Sequence, residues 1–206
     1  VDGAVTAAKL AKPIDLADNE KIRFGTGNDL EIYHDGSGSY VLNSAGSGQL
    51  TISSDNALNL ASRTGTEYFF RAYTNGAAEL YHNNVKKFET ASGGVSLTGG
   101  AAANITALSD GSTITVDFAT ACHHSVTLGG NRTLSGTNSG THVGQSGSIF
   151  ITQDGTGSRT LAYDSAYKFA GGTAPTLSTA ANAIDRLDYI IKASGVIQAV
   201  LTLDVK

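Results

Sequence analysis

The chain has 206 residues, of which 25 are glycine, 16% charged and 40% hydrophobic, with a formal net charge of −4. That balance, with no Lys/Arg cluster, excludes the electrostatic footprint of a nucleic-acid binder. The single Cys122 excludes an intrachain disulfide, no apolar run approaches the ~18 residues of a spanning helix, and no basic start followed by an apolar stretch marks a secretion signal.

Residues 1–20, "VDGAVTAAKLAKPIDLADNE", read as an attachment or lead-in segment, in which Val5, Ala8 and Leu10 make a short helix or extended arm stopped at Pro13. From Lys21 to Gly100 apolar residues recur two apart: Ile22/Phe24, Leu30/Ile32, Leu50/Ile52, Leu58/Leu60 and Val95/Leu97. Period two predicts strands with one buried face. Turn signals such as "GTGN", "DGSGS", "NSAGSG", "TNG" and "HNN" separate them. The segment also repeats itself. "EIYHDGSG" from Glu31 returns as "ELYHNNVK" from Glu79, pairing Ile32 with Leu80, Tyr33 with Tyr81 and His34 with His82.

Such strands are thin. Two inward aliphatics contribute about 3–6 kcal/mol of burial, while ordering six or so residues costs about 6–12 kcal/mol. Sister chains must fill the core. Residues 21–100 are therefore expected to form a repetitive, elongated β-shaft closed by three copies.

"TGGAAAN" at 98–104 reads as a joint, and residues 101–206 as a C-terminal β-sandwich or jelly-roll-like domain. "STITVDF", "HSVTLGG", "GSIFITQD" and "RTLAY" alternate, and Ser194–Gly195 between two apolar runs predicts a hairpin. The fold class is all-β.

Candidate chemistry is sparse. Cys122, His123 and His124 are adjacent, so one strand cannot wrap all three around an ion. They read as a surface or interface histidine pair, unless three copies of one His meet on an axis. His34 and His82 lie beside turns, without a nucleophile motif. "QDGTGSRT" at 153–160 lacks the spacing of a calcium loop and reads as a turn. Asp110, Asp117, Asp154, Asp164, Asp185 and Asp188 are not paired by a motif as glycan cleavage would want. No catalytic residue, cofactor or metal is implied.

"NEKIRFGTGNDLEIYHDGSGSYV" and "NGAAELYHNNVKKFETASGGVSLTG" resemble the repeat of structural proteins of tailed bacteriophages, especially marine phages and cyanophages. "VTLGGNRTLSG" and "GSIFITQDGTGSRTLAYDSAYKFAGGTAPTLSTAANAID" are similar to a β-rich domain near the C-termini of phage fibre proteins. The resemblance implies a non-enzymatic, homotrimeric component of the virion surface, assembled in the host cytoplasm, with a fibrous first part and a globular second. Its expected partners are itself, other virion proteins and a host-surface glycan or protein, with no nucleic acid and no membrane insertion. A tail fibre or tail-fibre-like appendage leads. A capsid-surface decoration or head-fibre protein, an extracellular trimeric adhesin or filament subunit, and a polysaccharide depolymerase follow. Tyr163, Tyr167 and Phe169 in "AYDSAYKFAGG" are the candidate receptor contacts, since aromatic faces stack on sugars. Packing beneath their own loop is the commoner fate of such rings.

Overall fold

The structure, a computed structural model, describes residues 14–44 and 48–205. It is all-β: among these residues there are seventeen strands, two short 3-10 turns at Thr137–Thr141 and Ala170–Gly172, and no α-helix. Among the described residues no helix is long and apolar enough to cross a membrane. The chain divides into two compact units, 1–98 and 99–206. Most of the expected lead-in segment, including Val5, Ala8, Leu10 and Pro13, lies outside the described residues, as does Ala45–Ser47 of "NSAGSG".

The first unit holds two antiparallel meanders. β1 (Lys21–Phe24), β2 (Leu30–His34) and β3 (Ser39–Asn43) form one sheet. β4 (Ala57–Ala61), β5 (Tyr68–Tyr73), β6 (Ala78–His82), β7 (Val85–Ala91) and β8 (Gly94–Leu97) form the other, in sequence order. The turns follow residue chemistry. Asn83 and Asn84 both take positive φ between β6 and β7, the two-residue loop whose twist matches a hairpin. The Asp35 carboxylate caps its own turn by accepting the Ser37 and Gly38 amides. Of the predicted apolar pairs, Leu50/Ile52 is a correction. It lies in no strand, and both side chains are exposed, because an extended segment without a neighbouring strand has nowhere to satisfy its backbone.

In each sheet the most buried side chain is a carboxylate on the face that alternation marks as polar. Glu31 and Glu79 are 8% and 9% exposed, whereas Ile32 and Leu80 beside them are 40% and 49% exposed. β2 and β6, the two copies of the repeat, share the same burial sequence residue by residue.

The second unit contains β9 (Ile105–Ala107), β10 (Thr113–Thr115), β11 (His123–Leu128), β12 (Arg132–Ser135), β13 (Ser146–Gln153), β14 (Leu161–Tyr163), β15 (Tyr167–Lys168), β16 (Ile184–Ala193) and β17 (Val196–Thr202). From β9 to β14 the strands alternate between two sheets. β9, β11 and β13 pair in parallel in one, and β10, β12 and β14 in parallel in the other. Parallel neighbours need a crossover, and here each crossover is a strand of the opposite sheet. The antiparallel β16–β17 hairpin, turning at Ser194–Gly195 with Gly195 at φ +69°, extends the first sheet to six strands, with β15 at its far edge. This winding differs from the antiparallel connections of a jelly roll. Alternation reports one buried face per strand and is silent on the direction of its neighbour.

The two sheets share one core. Ile114, Leu134 and Leu161 from the three-stranded sheet join Leu128, Ile149, Ile151, Leu187, Ile191 and Ile197 from the six-stranded one. Gly147 is compulsory there: a Cβ would lie 1.6 Å from the Cys122 carbonyl oxygen. That close approach also lets the Tyr189 hydroxyl donate to the same oxygen at 2.9 Å.

Candidate functional site

In the first unit the polar faces are held by charge and aromatic contact. Glu31 accepts Lys21 Nζ at 2.6 Å and Arg23 Nε at 2.9 Å, both from β1 across the sheet. These hydrogen bonds, Lys21 first, hold its carboxyl below the usual carboxylate range. Glu79 accepts the Tyr81 hydroxyl at 2.6 Å and Lys86 Nζ at 3.2 Å, and Lys86 also pairs with Glu89. Its carboxyl is lowered too, by the tyrosine first. Lys21 lies 4.2 Å over the Tyr33 ring, and Arg71 lies over Tyr68 and Tyr73. Sequence reading recognised the repeated Glu but not its burial. The signal was present as Lys21 and Arg23, two apart on the strand that precedes Glu31.

The opposite faces carry no charge. Across the five-stranded sheet the register aligns Leu60, Phe70, Leu80, Phe88 and Leu97 in one row. Leu60, Leu80 and Leu97 are about half exposed, at 54%, 49% and 54%. Across the three-stranded sheet Ile22, Ile32 and Val41 align likewise, flanked by Phe24 and Leu30.

His34 and His82 end β2 and β6 at the surface, where His34 Nδ1 lies 3.0 Å from Ser39 Oγ. His123 and His124 part company. Successive strand residues face opposite ways, so His123 meets the outer face, its Nδ1 accepting the Ser148 amide at 3.2 Å, while His124 is fully buried. The expectation of a surface or interface pair is thus corrected for His124, which is buried within its own chain. Neither of its ring nitrogens meets hydrogen-bond geometry, and burial pushes its imidazole below the ordinary value against an opposing pull from the Ala121 backbone. The Phe118 ring stands edge-on 6.4 Å away. No group of three metal-ligating side chains comes together among the described residues.

Each of the six aspartates serves its own neighbourhood. Asp110 holds Arg132 through Nε and Nη2. Asp117 accepts the Ala119 amide, and Asp164 the Ser135 hydroxyl with the Gly136 and Ala166 amides. Asp154 accepts the Thr156 and Gly157 amides and two Arg159 nitrogens, so the loop at 153–160 folds around its own carboxylate. The buried Asp185 takes the Ser178 and Asp204 amides, and Asp188 takes the Ser148 hydroxyl and Arg186.

Tyr163, Tyr167 and Phe169 come together at the edge where β14 and β15 leave the sandwich. Ring centroids are 5.7 Å apart for the two tyrosines and 4.7 Å for Tyr163 and Phe169. Tyr167 is 5% exposed and belongs to the core, and Tyr163 and Phe169 are half-buried against it. Both tyrosine hydroxyls are buried with no partner among the described residues, and burial raises both phenols far above their ordinary value. Phe169 is where three clefts adjoin. One of about 500 Å³ runs past Lys168, Asp188, Ile190 and Gln198 on the outer sheet face, a second of about 220 Å³ past Asp164 and Gly172, and a third of about 150 Å³ past Thr173 and Pro175.

No curated protein and no solved structure matches the chain. Residues 110–192 match the family model described as "Putative phage tail fibre C-terminal domain". The matched stretch runs from just ahead of β10 into the last residues of β16, and it supports a phage tail-fibre-like protein.

Proposed function

We propose that the chain is a non-enzymatic structural component on the surface of a phage particle, a tail-fibre-like appendage built from three copies. Residues 21–100 form the shaft in this reading and residues 101–206 the terminal domain. The observation that carries the assembly is the inverted burial of the first unit: buried carboxylates, and leucines and isoleucines about half exposed on an uncharged face. Contiguous apolar surface of that kind marks an interaction site. The family match of the second unit supports the phage setting.

Neighbouring virion proteins and a host-surface glycan or protein complete the partners. Phe169, half-buried beside the cleft of about 500 Å³, is the ring best placed to meet a host molecule, with Tyr163 and Tyr167 supporting it from behind.

Sedimentation of the purified chain tests the assembly. The expected mass is three times the 21.1 kDa of one copy, and a well-folded monomer at micromolar dilution overturns it. Immunogold labelling of intact particles tests the location, with gold on the tail expected and gold confined to the head overturning it.

A further inference from the structure

The geometry points to the cleft of about 500 Å³ on the outer face of the six-stranded sheet as a binding site for a neutral saccharide. This rests on the reading above that the second unit meets a host-surface molecule, and it chooses glycan over protein.

The cleft is built on neighbouring strands. Gln198 and Val200 of β17 stand opposite Ile190 and Asp188 of β16, so polar and apolar side chains alternate on its floor. Lys168 of β15 stands opposite Gln198 on the other flank, and Phe169 follows it. At Gln198 the backbone is committed to ladders on both sides. An extended peptide finds no free edge there, and recognition falls to side chains.

Those side chains supply both senses of hydrogen bond. The exposed Gln198 amide meets no partner among the described residues, and it offers donors and an acceptor. Asp188 accepts the Ser148 hydroxyl at 2.7 Å and Arg186 Nε at 3.0 Å. Its side chain is still 40% exposed, with lone pairs to spare. Lys168 Nζ gives one proton to the Ser165 carbonyl at 2.6 Å and keeps two. Sugar hydroxyls donate and accept alike, so one ring serves all three. Gln198 and Asp188 lie on a diagonal of about 7–8 Å, which a six-membered ring with hydroxyls on opposite carbons can bridge.

Charge sets the class. One ammonium and one carboxylate line the cleft. An acidic sugar would face Asp188 and an amino sugar Lys168, and like charges repel. A ring without charge meets neither penalty.

The apolar half of the floor fits the same ligand. Ile190 and Val200 are 45% and 65% exposed, and the C–H face of a pyranose covers such a surface while its rim keeps the hydroxyl contacts. Phe169 is held in place by Tyr163, 4.7 Å away at 66°, and Tyr167, 6.5 Å away at 13°. A ring already fixed by its neighbours loses little further freedom when a ligand arrives.

Saturation-transfer NMR on the full chain tests the site. The methyl glycosides of glucose, galactose, mannose, fucose and N-acetylglucosamine are the neutral probes, and that of glucuronic acid is the acidic one. Transfer to at least one neutral probe is expected, and none to the glucuronide. Gln198→Ala should weaken binding about three- to tenfold, the worth of one hydrogen bond. Val200→Glu, which sets a second carboxylate beside Asp188 at an exposed position, should abolish it. Thr127→Ala, exposed on β11 of the same sheet, should leave it unchanged. No transfer to any neutral probe, or transfer that Gln198→Ala and Val200→Glu leave intact, overturns the saccharide site while the three-copy appendage stands. Preference for the glucuronide overturns the neutral class. Gold confined to the head, with sugar binding intact, overturns the host-contact reading and keeps the site.

Discussion

On β6 Glu79 is buried and its neighbour Leu80 is half exposed; on β16 Asp185 and Leu187 sit two apart and both are inside. Both strands alternate, β6 over five residues and β16 over ten, yet the two units close differently. In the second, a facing sheet covers the apolar side of most strands, and the buried Asp185 is satisfied by the Ser178 and Asp204 amides, while the His124 ring and the Tyr163 and Tyr167 hydroxyls are buried without a partner among the described residues. In the first, cross-strand ion pairs and tyrosines line the polar side, and among the described residues the apolar side keeps leucines and isoleucines 40–54% exposed. Alternation supplies a stripe; a second layer, from the same chain or from others, decides whether the stripe becomes a core.

The contrast breaks most visibly under core truncation. Leu187→Ala should cost about 2–5 kcal/mol in the urea unfolding of the second unit at any protein concentration. Leu80→Ala should stay within about 0.5 kcal/mol in a chain too dilute to assemble and should approach the core value only in the assembled protein. Equal effects of Leu80→Ala in both conditions would erase the difference between the units. Gly147→Ala should destabilise the second unit by about 1–3 kcal/mol, since its Cβ collides with the Cys122 carbonyl and the backbone must move.

Acid sharpens the same contrast. Below about pH 6.5, the ordinary imidazole value, the unfolded chain binds a proton that the buried His124 does not. The stability owed to neutral His124 is therefore complete above that value and falls as the pH drops beneath it. The Ala121 backbone and the Asp117 carboxylate oppose the burial, and His123 adds to it. Unfolding of the second unit followed from pH 8 to 5 should show this loss, and His124→Leu should flatten it. Smallest of all, Tyr167→Phe should leave stability unchanged or raise it by up to ~1 kcal/mol, because the deleted hydroxyl has no partner to lose.

Particular residues show how much of this was legible. Ile22/Phe24, Leu30/Ile32, Leu58/Leu60 and Val95/Leu97 fall in strands as their spacing predicts, and Ser194–Gly195 turns the hairpin it announces. Leu50/Ile52 has the same spacing and no strand, since pairing depends on what lies alongside rather than on the segment itself. The parallel winding of β9 to β14 left no mark on alternation, because a strand's periodicity is the same whichever way its neighbour runs. The aromatic trio was found by composition, but its depth was not: Tyr167 points inward because it sits opposite Ile197 on an edge strand, a partner 30 residues away that no local pattern names. For Glu31 and Glu79 the repeat was plain and its meaning was not, since burial of a carboxylate depends on cations arriving from other strands.

The alignment of a large apolar side chain from every strand of the five-stranded sheet in one row carries an evolutionary consequence. Each added strand advances the row by about 4.8 Å without altering its cross-section. In the appendage proposed above, tandem duplication of a strand–turn unit like the one shared by Glu31–His34 and Glu79–His82 would lengthen the body while every existing contact keeps its neighbours. Length becomes a heritable dial, adjustable by recombination between copies, with the chemistry of the seam left untouched.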